Sequence, residues 1–185
     1  MSTYLDIVSS IIIGSMLLLM ILAYNFDMVE TSSINNMYSA TQRNGFDLQE
    51  ILRYDFRKIG LGVPDTSAVL SIADSTQIKF KTDLDLDGSI NEIHYYLGDL
   101  SSADFTENLN DILLYRKVDD NPPETYTIGL INFSFTYYDE NGGSTIILDD
   151  IKQLEYNYYL ESTFGYNGEY PGMFIRGRIN LKNLD

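Results

Sequence analysis

The chain has 185 residues, with 27 Asp and Glu against 12 Lys and Arg, a formal net charge of -15 and no cysteine. That balance argues against nucleic acid or an anionic membrane surface as partner, since both need clustered Lys and Arg. Without cysteine there is no disulfide, thiolate metal site or cysteine nucleophile, and an exported domain must be held by its core or by bound ions.

The first element is the apolar run Tyr4 to Tyr24, YLDIVSSIIIGSMLLLMILAY. Between Asp6 and Asp27 it carries no charge, and a helix of about 20 such residues, rising ~1.5 Å each, matches a bilayer core of roughly 30 Å. A secretory signal would have a basic start and a small-residue cleavage site. Here the first Lys or Arg is Arg43 and no such site follows Ala23, so the expectation is a retained helix. A buried core helix of a soluble domain is the alternative, with Ser9, Ser10, Gly14 and Ser15 as close-packing positions. The same small residues suit contact between helices in a membrane or filament. An ionised Asp6 costs about 2.5 to 3.5 kcal/mol at full membrane depth, so it calls for a partner or a shallow, solvated position.

After a polar stretch from Asn25 to Asn44, apolar residues return at Phe46, Leu48, Ile51, Leu52, Phe56 and Ile59, a helical spacing of three and four. Asn44 or Asp47 could cap a restart around Gly45, while Gly60, Gly62 and Pro64 supply a stop. The reading is one long helix, loosened near residues 31 to 45, whose second half lays one face on the sheet domain C-terminal to it. From Ala68 the period changes to two. Strands are expected around Ile78 and Phe80, around Ile93, Tyr95 and Leu97, and along Ile131, Phe133, Phe135 and Tyr137. The turn signal DENGG (Asp139 to Gly143) should lead into a strand over Ser144 to Leu148. Two more are expected at Leu154 to Leu160 and Met173 to Leu181. The chain therefore reads as α+β: 1–30 a transmembrane or filament-core helix, 31–62 an amphipathic helix packing on the sheet, and 63–185 an antiparallel sheet of about five to seven strands.

The sharpest chemical motif is Asp83-Leu84-Asp85-Leu86-Asp87-Gly88-Ser89. Carboxylates at alternate positions converge when the chain curls, Gly88 permits a tight turn and Ser89 can offer a carbonyl, which suits calcium. His94 stands where a helix-loop-helix calcium site would carry its closing Glu, so Asn91 or Glu92 would have to close this one. The competing reading is an acidic hairpin turn that stays in water. His94, the only histidine, has no second histidine to work with and reads as a surface residue. No nucleophile triad, phosphate loop or zinc spacing appears, so no catalysis is expected. The tyrosines Tyr156, Tyr158 and Tyr159 read as sheet packing, and the loops Gly98 to Asp111 and Thr163 to Gly172 as excursions or binding surfaces.

An acid near the start of an apolar helix that runs into an amphipathic half covering an antiparallel sheet resembles the type IV pilins and the pseudopilins of type II secretion. The likeness to minor pilins lies in ILRYDFRKIGLG (Ile51 to Gly62), IKFKTDLDLDGSINEIHYYL (Ile78 to Leu97), ILLYRKV (Ile112 to Val118) and RINLKNL (Arg178 to Leu184). A prepilin leader followed by Phe-Thr-Leu-x-Glu is not among these residues. Removal of Met1 makes Asp6 the fifth residue, matching the family's acid that pairs with a neighbouring subunit's N-terminal amine. The resemblance implies copies of this chain or other pilin-like subunits as partners, an inner-membrane stage before assembly, and a surface filament packed at Gly14 and Ser15. The alternative is a membrane-anchored extracytoplasmic binding module that uses the Thr163 to Gly172 loop.

Overall fold

A single helix, α1 (Ser2–Arg57), opens the computed structural model, which describes residues 2–64, 66–99 and 106–184. Part of the loop Gly98 to Asp111 and the processing point at Met1 lie outside the described residues. The chain divides into two units, Met1–Met37 and Tyr38–Asp185.

In the first unit every large apolar side chain from Tyr4 to Val29 is exposed, none less than Leu22 at 45%. By length and composition this helix can cross a membrane.

The second unit holds the core. Seven strands, β1 (Leu70–Ala73), β2 (Gln77–Thr82), β3 (Asn91–Leu97), β4 (Ile112–Val118), β5 (Glu124–Tyr138), β6 (Gln153–Glu161) and β7 (Gly172–Asn180), succeed one another in sequence order across one antiparallel sheet. The α+β class and the seven-stranded antiparallel sheet accord with the sequence. The covering face of α1 is Leu48, Leu52, Phe56 and, one step past the helix end, Ile59, all nearly or fully buried. Phe56 is its centre, with rings of Phe80, Tyr95, Phe135 and Tyr156 at 5.3 to 6.0 Å, three of them edge-on, an arrangement aromatic quadrupoles favour.

Four sequence expectations need correction. The helix is neither loosened over 31–45 nor restarted at Asn44 or Asp47. Glycine costs a helix interior about 1 kcal/mol, but at Gly45 it allows close approach. A Cβ there would stand 2.8 Å from Met173 Sδ and 2.9 Å from Ile175 Cδ1, and the buried Tyr158 hydroxyl donates to the Gly45 carbonyl at 2.7 Å. Phe46 falls off the covering face and is 58% exposed.

Ser144 to Leu148 is not a strand. Asp139 closes its turn on Gly143 through both backbone and carboxylate, and Ser144 makes one bridge to Tyr138. A 3-10 turn at Leu148–Asp150 then feeds β6, whose Gln153 pairs with Tyr138. Finally, β5 is longer than its alternation suggests, because its inward face changes parity. A bulge between Leu130 and Asn132 makes Leu130 the buried residue in place of Ile131, ahead of Phe133, Phe135 and Tyr137. Gly129 sits at this bend with φ 78°, and a Cβ there would meet the Glu161 carbonyl oxygen at 1.9 Å. Before the bend β5 pairs with β4, after it with β6. Its far end meets the turn between β1 and β2, where Phe135 N donates to Ser75 O at 2.8 Å and the Tyr137 hydroxyl to Asp74 O at 2.9 Å. The sheet thus curls around the second half of α1.

Candidate functional site

Three groups of side chains carry chemistry. The first lies in α1. Asp6 is exposed, and its backbone carbonyl accepts the Ser10 hydroxyl at 2.7 Å. Ser15 turns its hydroxyl onto the Ile12 carbonyl at 2.8 Å, and a Cβ on Gly14 would meet nothing within 4 Å. With the Ser15 hydroxyl bonded back to its own helix and only a hydrogen at Gly14, that face is shallow enough for another helix to approach.

The second is the acidic loop between β2 and β3. Its start is tied to the end of α1: Gly60 N donates to Lys81 O, Asp83 N to Leu61 O, and the Thr82 hydroxyl to Lys58 O at 2.6 Å. These bonds pin the turn that follows α1 to the end of β2. Within the loop, Asp83 is buried and accepts backbone N–H groups from Asp87 at 3.2 Å and Gly88 at 3.0 Å. Leu86 and Gly88 both take positive φ to make the curl. Carboxylate oxygens of Asp83, Asp85 and Asp87 consequently lie within 4.8 Å of one another. The carboxyl of Asp87 is held below its ordinary range by hydrogen bonds from Ser89, chiefly its backbone N–H at 2.7 Å.

Two further expected ligands, Asn91 and Glu92, have partners of their own. Asn91 accepts from Leu84 N and donates to Asp119 at 2.9 Å, while Glu92 pairs with Lys79. Calcium keeps its oxygens about 2.3 to 2.6 Å away, so three oxygens spanning 4.8 Å can share one ion. The carboxylates that the loop brings together are Asp83, Asp85 and Asp87. His94 sits on the outer face of β3, half-buried, bonded to Gln77 Oε1 at 3.1 Å and packed on Tyr96. Burial and then Lys79 lower its pKa.

The third group was not singled out from the sequence. Strand register sets Tyr95 opposite Arg116 and Arg116 opposite Glu124, and α1 lays Asp55 over this row. Asp55, 1% exposed, accepts from the Tyr95 hydroxyl at 2.6 Å and from Arg116 Nε at 2.7 Å. Arg116 reaches on to Glu124 at 3.2 Å. Burial opposes the guanidinium's charge most strongly, but the bond to Asp55 together with the charges of Tyr95, Asp55 and Glu124 outweighs it and raises the Arg116 pKa. Burial first, and Asp55 second, push the Tyr95 phenol well up, and burial with Glu124 raises Tyr126 to about 12. The signal for this network was present in the sequence: an acid on the apolar face between Leu52 and Phe56.

No protein-family model matches this chain, and no curated protein matches it.

Proposed function

We propose that the chain is a structural subunit of a pilin-like surface filament or pseudopilus, assembling through the first half of α1. One observation carries the reading: the large apolar side chains from Tyr4 to Val29 are all exposed, with no cover from the described residues. So much contiguous apolar surface requires lipid or other helices. Before assembly the helix lies in the inner membrane. On assembly it exchanges lipid for neighbouring copies, so apolar burial is nearly conserved and packing with polar pairing decides register. Gly14 and Ser15 admit the neighbour, and Asp6 pairs with the neighbour's N-terminal amine, relieving its cost in an apolar surround. The acidic sheet domain faces water at the cell surface. Calcium, held by Asp83, Asp85 and Asp87, rigidifies the loop beside the end of α1, with affinity on the order of 10⁻⁴ to 10⁻³ M as in extracellular modules.

Electron microscopy of the purified full-length protein tests this. Wild type should form continuous filaments, and Asp6→Ala should form none while its sheet domain melts as in wild type. Dispersed particles from wild type, unchanged by Asp6→Ala, would replace the reading with a membrane-anchored extracytoplasmic module that does not polymerise.

A further inference from the structure

In a chain of net charge -15 cations seldom gather, yet three line one cleft of about 660 Å³ between the second half of α1 and β7. Arg53 and Arg57 stand one helical turn apart on the same side of α1, and Lys182 lies just past the end of β7. No Asp or Glu lines the cleft. Among the described residues, ion pairs are made by Lys79, Arg116 and Arg176, so Arg53, Arg57 and Lys182 make none, although Glu50 lines a neighbouring cleft with Arg53 and Arg57. Arg178 also borders the cleft, but its guanidinium stacks 4.0 Å from the Tyr138 ring centre.

Tyr156 supplies an independent observation. Its side chain is fully buried in the cleft wall, and its hydroxyl has no hydrogen-bond partner. Gly177, directly across on β7, makes room for it: a Cβ there would stand 2.2 Å from Tyr156 Cζ and 2.3 Å from its hydroxyl. A buried donor without an acceptor is destabilising, and an acceptor brought by a ligand relieves it. Burial raises this phenol's pKa against the charges of Arg53 and Arg57 and the Gln49 amide, which approaches the hydroxyl oxygen as a donor without completing a well-formed hydrogen bond, so the O–H itself is left to donate. Three cations outside any ion pair and one unused donor share a single complement, an anionic oxygen, and arginine forks match phosphate and carboxylate alike. The volume falls in the roughly 300 to 1,000 Å³ range of small-molecule sites.

We propose that this cleft binds a small molecule through an oxyanion, a phosphate or carboxylate group, held by Arg53, Arg57 and Lys182 and by a hydrogen bond from the Tyr156 hydroxyl. The site does not depend on filament assembly and stands or falls separately from it.

The test uses the full chain in mild detergent, with inorganic phosphate and citrate as probes against chloride at matched ionic strength. Isothermal titration should give one site, with a rise of a few degrees in the thermal midpoint. Binding by phosphate alone or citrate alone identifies the group preferred. The double variant Arg53→Gln/Arg57→Gln should weaken binding at least about tenfold, with Lys182→Gln as an independent check. Arg43→Gln, on α1 outside the cleft, should bind as wild type. Tyr156→Phe should weaken binding about threefold yet melt no lower than wild type without ligand, because only an unpartnered hydroxyl is removed. Neither probe exceeding chloride, or the double arginine variant binding as wild type, would overturn the site. Unchanged binding by Tyr156→Phe would remove the hydroxyl from it.

Discussion

Asp55 is the residue on which the packing of α1 is most finely balanced. A carboxylate at 1% exposure on an apolar face survives because Arg116 and Tyr95 meet it together. Removing Asp55 leaves the Tyr95 hydroxyl without its acceptor and the largely buried Arg116 with only the exposed Glu124, so Asp55→Ala should cost about 3 kcal/mol, read from chemical denaturation. The double replacement Asp55→Leu/Arg116→Met should recover most of that loss, because an apolar pair in the same place needs no desolvation. An equally large loss in the double variant would mean the pair is not the source. Asp111 is the opposite case: it is buried at 2% exposure, and among the described residues no cation pairs with it. Burial raises its pKa above the ordinary 3.8, the Thr106 hydroxyl opposes this, and Glu161 adds to it. A raised carboxyl favours the fold fully below pH 3.8 and ceases to do so as pH climbs through the folded value. Asp111→Asn should therefore stabilise the protein at pH 7 by about 1 kcal/mol and lose that advantage below pH 3.8, as melts across pH would record. Both acids were visible in the sequence as charges beside apolar residues. What was not visible is the difference between them, since only strand register brings Arg116 under Asp55 while Asp111 gains no cation among the described residues.

At the scale of elements, strands were legible where one face is buried throughout. Ile78 with Phe80, Ile93 with Tyr95, and Leu154 through Leu160 all alternate as the sheet requires. β4 was legible only as the resemblance segment ILLYRKV, because Leu113 and Leu114 are both buried and Arg116 turns inward, so alternation fails. β5 hides its length behind the parity change at its bulge. The false strand over Ser144 to Leu148 has strand composition without a strand's slot. Ile146 is 85% exposed, and the partner edge at Tyr138 is taken by Lys152 and Gln153. For the acidic loop the spacing of Asp83, Asp85 and Asp87 foretold convergence, but not that Asn91 and Glu92 serve other partners. Calcium should raise the thermal midpoint by a few degrees over excess chelator, and Asp85→Asn/Asp87→Asn should abolish the difference. Equal midpoints in wild type would end the calcium reading.

For the whole molecule, the sequence announced two kinds of apolar surface on one helix, and the chain divides into two units at Met37 and Tyr38. All core residues belong to the second unit. A chain starting at Tyr38 should therefore stay dispersed without detergent and unfold in one transition, as light scattering and a thermal melt would report; aggregation of this fragment would mean the first unit protects the second. The strand order has a further consequence for biosynthesis. Each strand pairs with its neighbour in sequence, so hairpins can close in turn as the chain emerges, with little loop entropy to overcome. The face of α1 made by Leu48, Leu52 and Phe56 emerges before any of them. At about 5 to 20 residues per second, translation leaves it bare for on the order of ten seconds until β7 is complete. The nascent chain thus presents both apolar surfaces to the cell before it can cover either.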